Sequence, residues 1–222
     1  MGKSSTEAFI FLNGHYLRYD KTLLSGILKR RRHRPLFIAV DGGLSFLQKI
    51  NSLPDFWLTD LDSAPRIKKN FLNKTEILLY PSDKDKTDAE LTLDFCARRG
   101  IKKAVIWGWY DNRHETDHLL GNLMLSRLLL DRFGGMNIHF INSRQEIYPL
   151  SDEKLIVKGK KGWRLGIVPL SRSICLTLKG TAFKAENLKV NAGDTISLRN
   201  QITAQTCSVN LEGLALLILG RQ

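Results

Sequence analysis

The stretch Leu36-Phe37-Ile38-Ala39-Val40-Asp41-Gly42-Gly43 decides the fold. Five apolar residues run without a polar break, as in a strand buried on both faces, and they end on an acid and two glycines. Outward from it the arrangement repeats. Ala8–Leu12, Phe56–Leu58, Ile77–Tyr80, Ala104–Trp107 and Ile138–Ile141 are further short apolar runs. Helix-like stretches lie between them, near Lys21–Arg32, Leu44–Ile50, Thr87–Arg99 and Asp117–Phe133. The alternation predicts an α/β domain: a doubly wound, mostly parallel sheet with helices on both faces. Asp117–Phe133 is apolar nearly all round, which predicts a buried helix.

Beyond about Ser151 the texture changes. Leu155–Val157, Arg164–Val168, Ser173–Leu178, Leu188–Val190, Thr195–Leu198, Thr206–Leu211 and Ala215–Leu219 read as short strands, with turn signals such as Asn191-Ala192-Gly193-Asp194 between them. No long helical period fits, so this half predicts an all-β sandwich. The expected division is an α/β domain over residues 1–147 and the all-β domain over 148–222.

In 222 residues, 43% apolar and 25% charged composition is that of an ordinary globular protein. The formal charge of +12 is partly concentrated in Lys29-Arg30-Arg31-Arg32-His33-Arg34. Such a surface suits nucleic acid, an anionic membrane or a polyphosphate. Its plainest account is the solvated last turn of a helix, where cations are favoured. The run lacks interleaved aromatics, which argues against nucleic acid as a partner. Cys96, Cys175 and Cys207 are odd in number and far apart, with no metal-ligating spacing. They are expected to be reduced thiols of a cytoplasmic protein. Met1–Glu7 is too short and polar for a signal peptide, and no apolar run is long enough for a membrane span.

In an open parallel sheet, ligands sit beyond the carboxyl ends of the strands. Leu36–Val40 leads into Asp41-Gly42-Gly43, and Phe56–Leu58 into Thr59-Asp60-Leu61-Asp62-Ser63. Ile77–Tyr80 leads into Asp83, Asp85, Thr87 and Asp88, and Ala104–Trp107 leads through Gly108 towards Asp117-His118. Gathered carboxylates repel one another unless a cation neutralises them, and Mg²⁺ takes hard oxygen ligands. Asp60 and Asp62 alternate along an extended segment, so both can face one ion. Gly42 lets backbone approach a ligand. Each piece also has a structural account. Asp41-Gly42-Gly43 can be a turn, Thr87-Asp88-Ala89-Glu90 a capping box and His118 a core histidine. Their common placement at strand ends favours metal-assisted phosphate chemistry.

Taken in order, these segments resemble the thiamine pyrophosphokinase family. Leu12-Asn13-Gly14 is similar to its first-strand loop and Asp41-Gly42-Gly43 to its D-G-G. Thr59-Asp60-Leu61-Asp62-Ser63 resembles G-D-x-D-S, Asp83–Asp88 resembles D-x-D-x-T-D, and Asp117–Asn122 resembles D-H-x-x-x-N. Leu178-Lys179-Gly180 and Ser197-Leu198-Arg199-Asn200 are similar to parts of its C-terminal sandwich. The resemblance implies transfer of a diphosphoryl group from ATP to the hydroxyl of thiamine, releasing AMP, with Mg²⁺, in a homodimer. It implies catalytic roles for Asp88 and Asp117, and Mg²⁺ ligation by Asp60, Asp62 and Asp88. Ligand contacts are implied for Asn13, Asp41, Gly42, Asp85, Thr87, Arg113, His118, Asn122, Phe183, Ser197 and Asn200. The sandwich domain would bind thiamine and dimerise.

Three positions depart from the pattern. Thr59 stands where the family has glycine, Asp111–Thr116 displaces Arg113, and Phe183 stands where tryptophan is common. Trp163 is a second candidate for an aromatic face, or else a packed strand residue. The alternative functions are a related pyrophosphokinase acting on another heterocyclic alcohol, and a basic nucleic-acid-binding protein.

Overall fold

The structure, a computed structural model, describes residues 6–60, 74–81, 85–110, 116–128, 132–133 and 135–221. The chain divides into two compact units, Met1–Ser143 and Arg144–Gln222.

The first unit carries strands β1 (Glu7–Phe11), β2 (Leu36–Val40), β3 (Phe56–Thr59), β4 (Glu76–Leu79), β5 (Lys103–Trp107) and β6 (Asn137–Ile141). Helices α1 (Asp20–Lys29), α2 (Gly43–Lys49), α3 (Asp88–Arg98) and α4 (Thr116–Met124) connect them, and a 3₁₀ turn, Leu125–Leu128, follows α4. The sheet order is β6-β5-β1-β2-β3-β4, and every neighbouring pair is parallel. The chain winds outward from β1 to β4 and then returns to the other side of β1. The strand order therefore reverses between β1 and β5, where a doubly wound sheet opens its crevice.

Alternation along the strands sorts the two faces. Phe9, Phe11, Phe37, Ala39, Trp57, Val105 and Trp107 pack with Leu24 of α1 and with Leu44, Phe46 and Leu47 of α2. Each such large side chain contributes about 1.5–3 kcal/mol on burial. Phe56 points the other way, edge-on to Phe95 of α3 at 5.1 Å between ring centroids. Helices thus cover both faces of the sheet.

Two expectations for this unit need correcting. First, α1 ends at Lys29, not Arg32. Arg31 leaves the helix to fork onto Glu7 and lies 4.9 Å over the Phe9 ring. Arg34 grips both oxygens of Asp55, at 3.0 and 2.7 Å, and lies 4.3 Å over Phe37. Two of the basic residues therefore clamp the sheet instead of forming a solvated helix turn. Second, α4 is short and has no buried residue, and Leu120 is 56% exposed. Its apolar composition signals a need for cover, which composition alone does not locate.

The second unit is all-β, with β7 (Gln145–Lys158), β8 (Arg164–Pro169), β9 (Ser173–Lys179), β10 (Ala185–Asn191), β11 (Asn200–Gln201) and β12 (Thr206–Gly220). The two expected strands at 206–211 and 215–219 are one. β12 pairs with β7 along its length, with β9 through its first half and with β8 through its second. Its register breaks between Leu211 and Leu214, where Gly213 takes φ +95° and donates its N–H to Asp152 Oδ1 at 2.7 Å. A bulge at a positive-φ glycine bends a long strand so that it serves two partners. Thr195–Leu198, expected as a strand, is instead a turn, closed by the Leu198 N–H on the Thr195 carbonyl. Leu165, Ile167, Leu176, Val190, Val209 and Leu217 are among the residues of a single core.

Candidate active site at the strand ends

The carboxyl ends of β1, β2 and β5 meet almost without side chains between them. Leu12 N–H donates to the Trp107 carbonyl at 2.9 Å, continuing the β1–β5 pairing. A Cβ on Gly14 would lie 2.0 Å from the Gly108 carbonyl oxygen, and one on Gly43 would lie 1.9 Å from that of Phe11. Glycine is required at both positions because backbone occupies the space. A Cβ on Gly42 would lie 2.0 Å from Asn13 Oδ1, so the predicted site residues Asn13 and Gly42 are in contact.

Asp41 is the centre of this rim. It is buried and takes φ +43°, a left-handed conformation that Asp tolerates better than most residues. Its N–H donates to the Leu58 carbonyl at 2.9 Å, and the indole N–H of Trp57 donates to its carbonyl at 3.1 Å. Burial first, and then contact with the Asp88 carboxyl, pushes the Asp41 carboxyl up to about 7. Asp60 adds to the rise, while a hydrogen bond from Thr59 opposes it. Thr59 is buried, and its hydroxyl does work that a glycine there could not. Sequence reading treated Thr59 only as a departure; its signal was a polar β-branched residue next to an acid at a strand end.

Asp41, Thr59, Asp60 and Asp88 are thus brought together from two strand ends and the start of α3. Asp41 Oδ1 is buried with no hydrogen-bond partner among the described residues. A carboxylate oxygen left in this way, beside two further acids, fits a hard cation in place of the proton. Among the described residues, no group of three or more His, Cys, Asp or Glu side chains is placed to hold a metal ion by itself. An ion here would need other oxygens, and Mg²⁺ commonly takes them from substrate phosphates and water. Asp62, the other predicted ligand, and Arg113 lie outside the described residues.

The remaining candidates are more dispersed. Thr87 caps α3, its hydroxyl accepting the Glu90 N–H at 3.3 Å. The Glu90 carboxylate pairs with Arg132, so the box is closed from one side. Asp85 is exposed ahead of it. Asp117 and His118 are exposed on the first turn of α4, with the His118 N–H on Asp117 Oδ1 at 2.9 Å, and Asn122 lies one turn further on.

In the all-β unit, Phe183 is 74% exposed. The Asn200 side chain holds its backbone, accepting the Phe183 N–H at 3.0 Å and donating to its carbonyl at 2.7 Å. Ser197 is buried and its hydroxyl donates to the Ile167 carbonyl at 2.8 Å. Trp163 is flanked by Lys160 at 4.0 Å and Arg221 at 5.0 Å. Trp163 thus already has cation partners, and Phe183 is the more exposed of the two aromatics.

A doubly wound α/β domain with acids gathered at its strand ends, followed by an all-β domain, defines a class of two-domain phosphate-transfer enzymes. Residues 28–138, half of the chain, match the model of the thiamin pyrophosphokinase catalytic domain. The chain belongs to the thiamin pyrophosphokinase family, a family of enzymes. It is 25% identical over 186 residues to a thiamine pyrophosphokinase of Bacillus subtilis, covering 82% of this chain and 85% of that one. The crystal structure of thiamin pyrophosphokinase from Geobacillus thermodenitrificans superposes with a TM-score of 0.80 at 21% identity, covering 97% and 98% of the two chains. The Candida albicans enzyme superposes at 0.81 with 13% identity, covering 98% and 90%. At those identities the likeness speaks for the fold. No helix among the described residues is long and apolar enough to cross a membrane.

Proposed function

We propose that this chain is a thiamine diphosphokinase that moves the β,γ-diphosphoryl group of ATP onto the hydroxyl of thiamine and releases AMP. The observation that carries this reading is the Asp41–Asp88 contact, reinforced by Thr59 and Asp60, at the end of the parallel strands. Asp60, Asp62 and Asp88 would hold Mg²⁺, with Asp41 in contact with Asp88. Bound there, the ion supplies charge neutralisation across the polyphosphate oxygens. The residues then align the acceptor hydroxyl with the β-phosphorus, since such transfers depend on positioning more than on covalent chemistry. With Asp88 assigned to the ion, the hydroxyl proton falls to Asp117, which is exposed at the start of α4. Thiamine is a cation, and the exposed face of Phe183 offers cation–π contact. Asn200 acts by holding the Phe183 backbone, and Ser197 by fixing its own turn to β8.

A homodimer in the cytoplasm completes the reading. Exposed Leu120 and Met124 in the first unit, and exposed Phe183, Ile196 and Leu198 in the second, are the kind of apolar surface a second copy covers. The three free cysteines suit a reducing compartment. Neither a nucleic acid nor a membrane is needed as a partner.

The test is production of thiamine diphosphate and AMP by purified protein, with and without Mg²⁺, and with other heterocyclic alcohols in parallel. Thiamine should be the preferred acceptor, and EDTA should abolish turnover. Asp60→Asn should lose most activity and keep the fold; turnover at the parent rate would remove Asp60 from the ion.

A further inference from the structure

Strand β3 grips Asp41 at two points. The β2–β3 register sets Ala39 beside Trp57 and Val40 beside Leu58, so the next step along sets Asp41 beside Thr59. Trp57 and Thr59 lie two apart on the strand, and their side chains leave by the same face. Both are fully buried. The Trp57 indole N–H donates to the Asp41 carbonyl at 3.1 Å, and the Thr59 hydroxyl bonds the Asp41 carboxylate. Burial alone does not explain the first bond. Trp107 is as deeply buried in the same core, yet its indole nitrogen has no partner among the described residues.

Asp41 needs to be held. Its φ of +43° is a backbone state that a side-chain-bearing residue keeps only where its surroundings impose it. Peptide units are planar, so pinning the two that flank Asp41 fixes its φ and ψ, and with them the direction of Cβ. β3 pins both. The Leu58 carbonyl accepts the Asp41 N–H at 2.9 Å, and the Trp57 indole holds the Asp41 carbonyl, which also accepts the Leu44 N–H at 3.2 Å. Thr59 then restrains the rotation of the carboxylate. One oxygen, Oδ1, is left without a hydrogen-bond partner among the described residues.

We propose that Trp57 and Thr59 are positioning residues for the reaction: they lock Asp41 in its left-handed turn, so that its carboxylate stays on Asp88 with one oxygen set towards the cation. They act through Asp41, from the core side of the rim. The proposal rests on the thiamine diphosphokinase reading for the cation, and adds to it the buried face of β3.

The test uses the full-length protein with Mn²⁺ alone as the titrated probe, followed by electron paramagnetic resonance. Trp57→Phe keeps an aromatic ring and loses the N–H; Thr59→Val keeps the shape and loses the hydroxyl. Each should weaken Mn²⁺ binding by about threefold to tenfold, the effect of one neutral hydrogen bond. Saturated kcat should fall by a similar factor, with the KM for thiamine within about twofold of the parent. Amide hydrogen exchange at Asp41 and Leu44 should quicken in Trp57→Phe. Thr59→Ser returns a hydroxyl and should recover Mn²⁺ binding. Leu24→Ala opens a hole in the same core, and should lower Tm while leaving Mn²⁺ affinity, kcat and exchange at Asp41 as in the parent. If Trp57→Phe melts below the assay temperature, Thr59→Val against Thr59→Ser decides. Mn²⁺ affinity unchanged in both variants would overturn the proposal, as would an equal loss in Leu24→Ala or a parent that takes up no Mn²⁺. A parent that makes no thiamine diphosphate, yet loses Mn²⁺ affinity in Trp57→Phe and Thr59→Val, would sink the reaction assigned above and leave the clamp standing. Normal turnover with both variants indistinguishable from the parent would do the reverse.

Discussion

The Asn200 side-chain amide holds both backbone polar groups of Phe183, seventeen residues earlier: the N–H at 3.0 Å and the carbonyl at 2.7 Å. The same Asn200 oxygen also accepts the Gln201 N–H at 2.8 Å. Asn200 is buried and Phe183 projects into solvent, so a hidden amide presents an exposed ring. The two residues should therefore fail in different ways. Phe183→Ala removes a side chain that packs on little, and should leave Tm within about 2 °C while raising the KM for thiamine several-fold. Asn200→Ala strands buried polar groups and should cost about 2–3 kcal/mol of stability. Thermal melts and thiamine saturation curves on both variants distinguish presentation from contact.

Asp41 makes the metal-free site unfavourable. Its carboxyl is raised to about 7, so the folded protein binds that proton more tightly than the unfolded chain. The linked contribution is present below the ordinary carboxylate range and is lost as pH rises through about 7. In EDTA, stability should fall across that window by on the order of 2–4 kcal/mol. Asp41→Asn suits the same left-handed backbone and should flatten the slope, raise Tm at pH 8 in EDTA, and abolish turnover. Denaturant melts from pH 4 to pH 8, with and without Mg²⁺, check the prediction.

The Asp20 carboxylate is fully buried and joins distant parts of the first unit. It accepts the Leu17 N–H at 2.8 Å and the Ser143 N–H, 123 residues further on, at 2.6 Å. Asp20→Ala would orphan both donors and should destabilise the protein by about 2–4 kcal/mol, read as a Tm lower by roughly 4–16 °C. The loss should also loosen the segment from Asn13 to Tyr19, visible as faster amide hydrogen exchange there.

Burial pushes the Cys96 thiol up to about 12 and raises that of Cys207 as well. Both should resist a thiol reagent at pH 8 in the native state, because the thiolate is the nucleophile. Cys175, which is less buried, should react first. Counting thiols released before and after adding guanidinium checks the order; rapid native modification of Cys96 would contradict it.

The legible part of this protein was its periodicity. Continuous apolar runs such as Leu36–Val40 identify strands covered on both faces, and the acids after them identify the working edge, because both signals are local in sequence. Arg31 and Arg34 escaped that reading, since their partners Glu7 and Asp55 lie more than twenty residues away. So did the union of 206–211 with 215–219, where Gly213 lets one strand turn between two partners. The exposed apolar face of α4 was also invisible, because composition reports hydrophobicity and not its direction.

Sequence by itself determined the order of strands and helices, the change to an all-β second half, the acids delivered to the rim and the family to which the chain belongs. Only the tertiary structure decided that Thr59 serves Asp41, that Asn200 serves Phe183, and that Arg18, Lys21 and Lys49 share a cavity with Asn13 and Gly42. The physical reason is range. Strand and helix patterns follow from neighbours a few residues apart, whereas a proton's affinity or a cavity's charge depends on groups that only folding brings within a few ångströms.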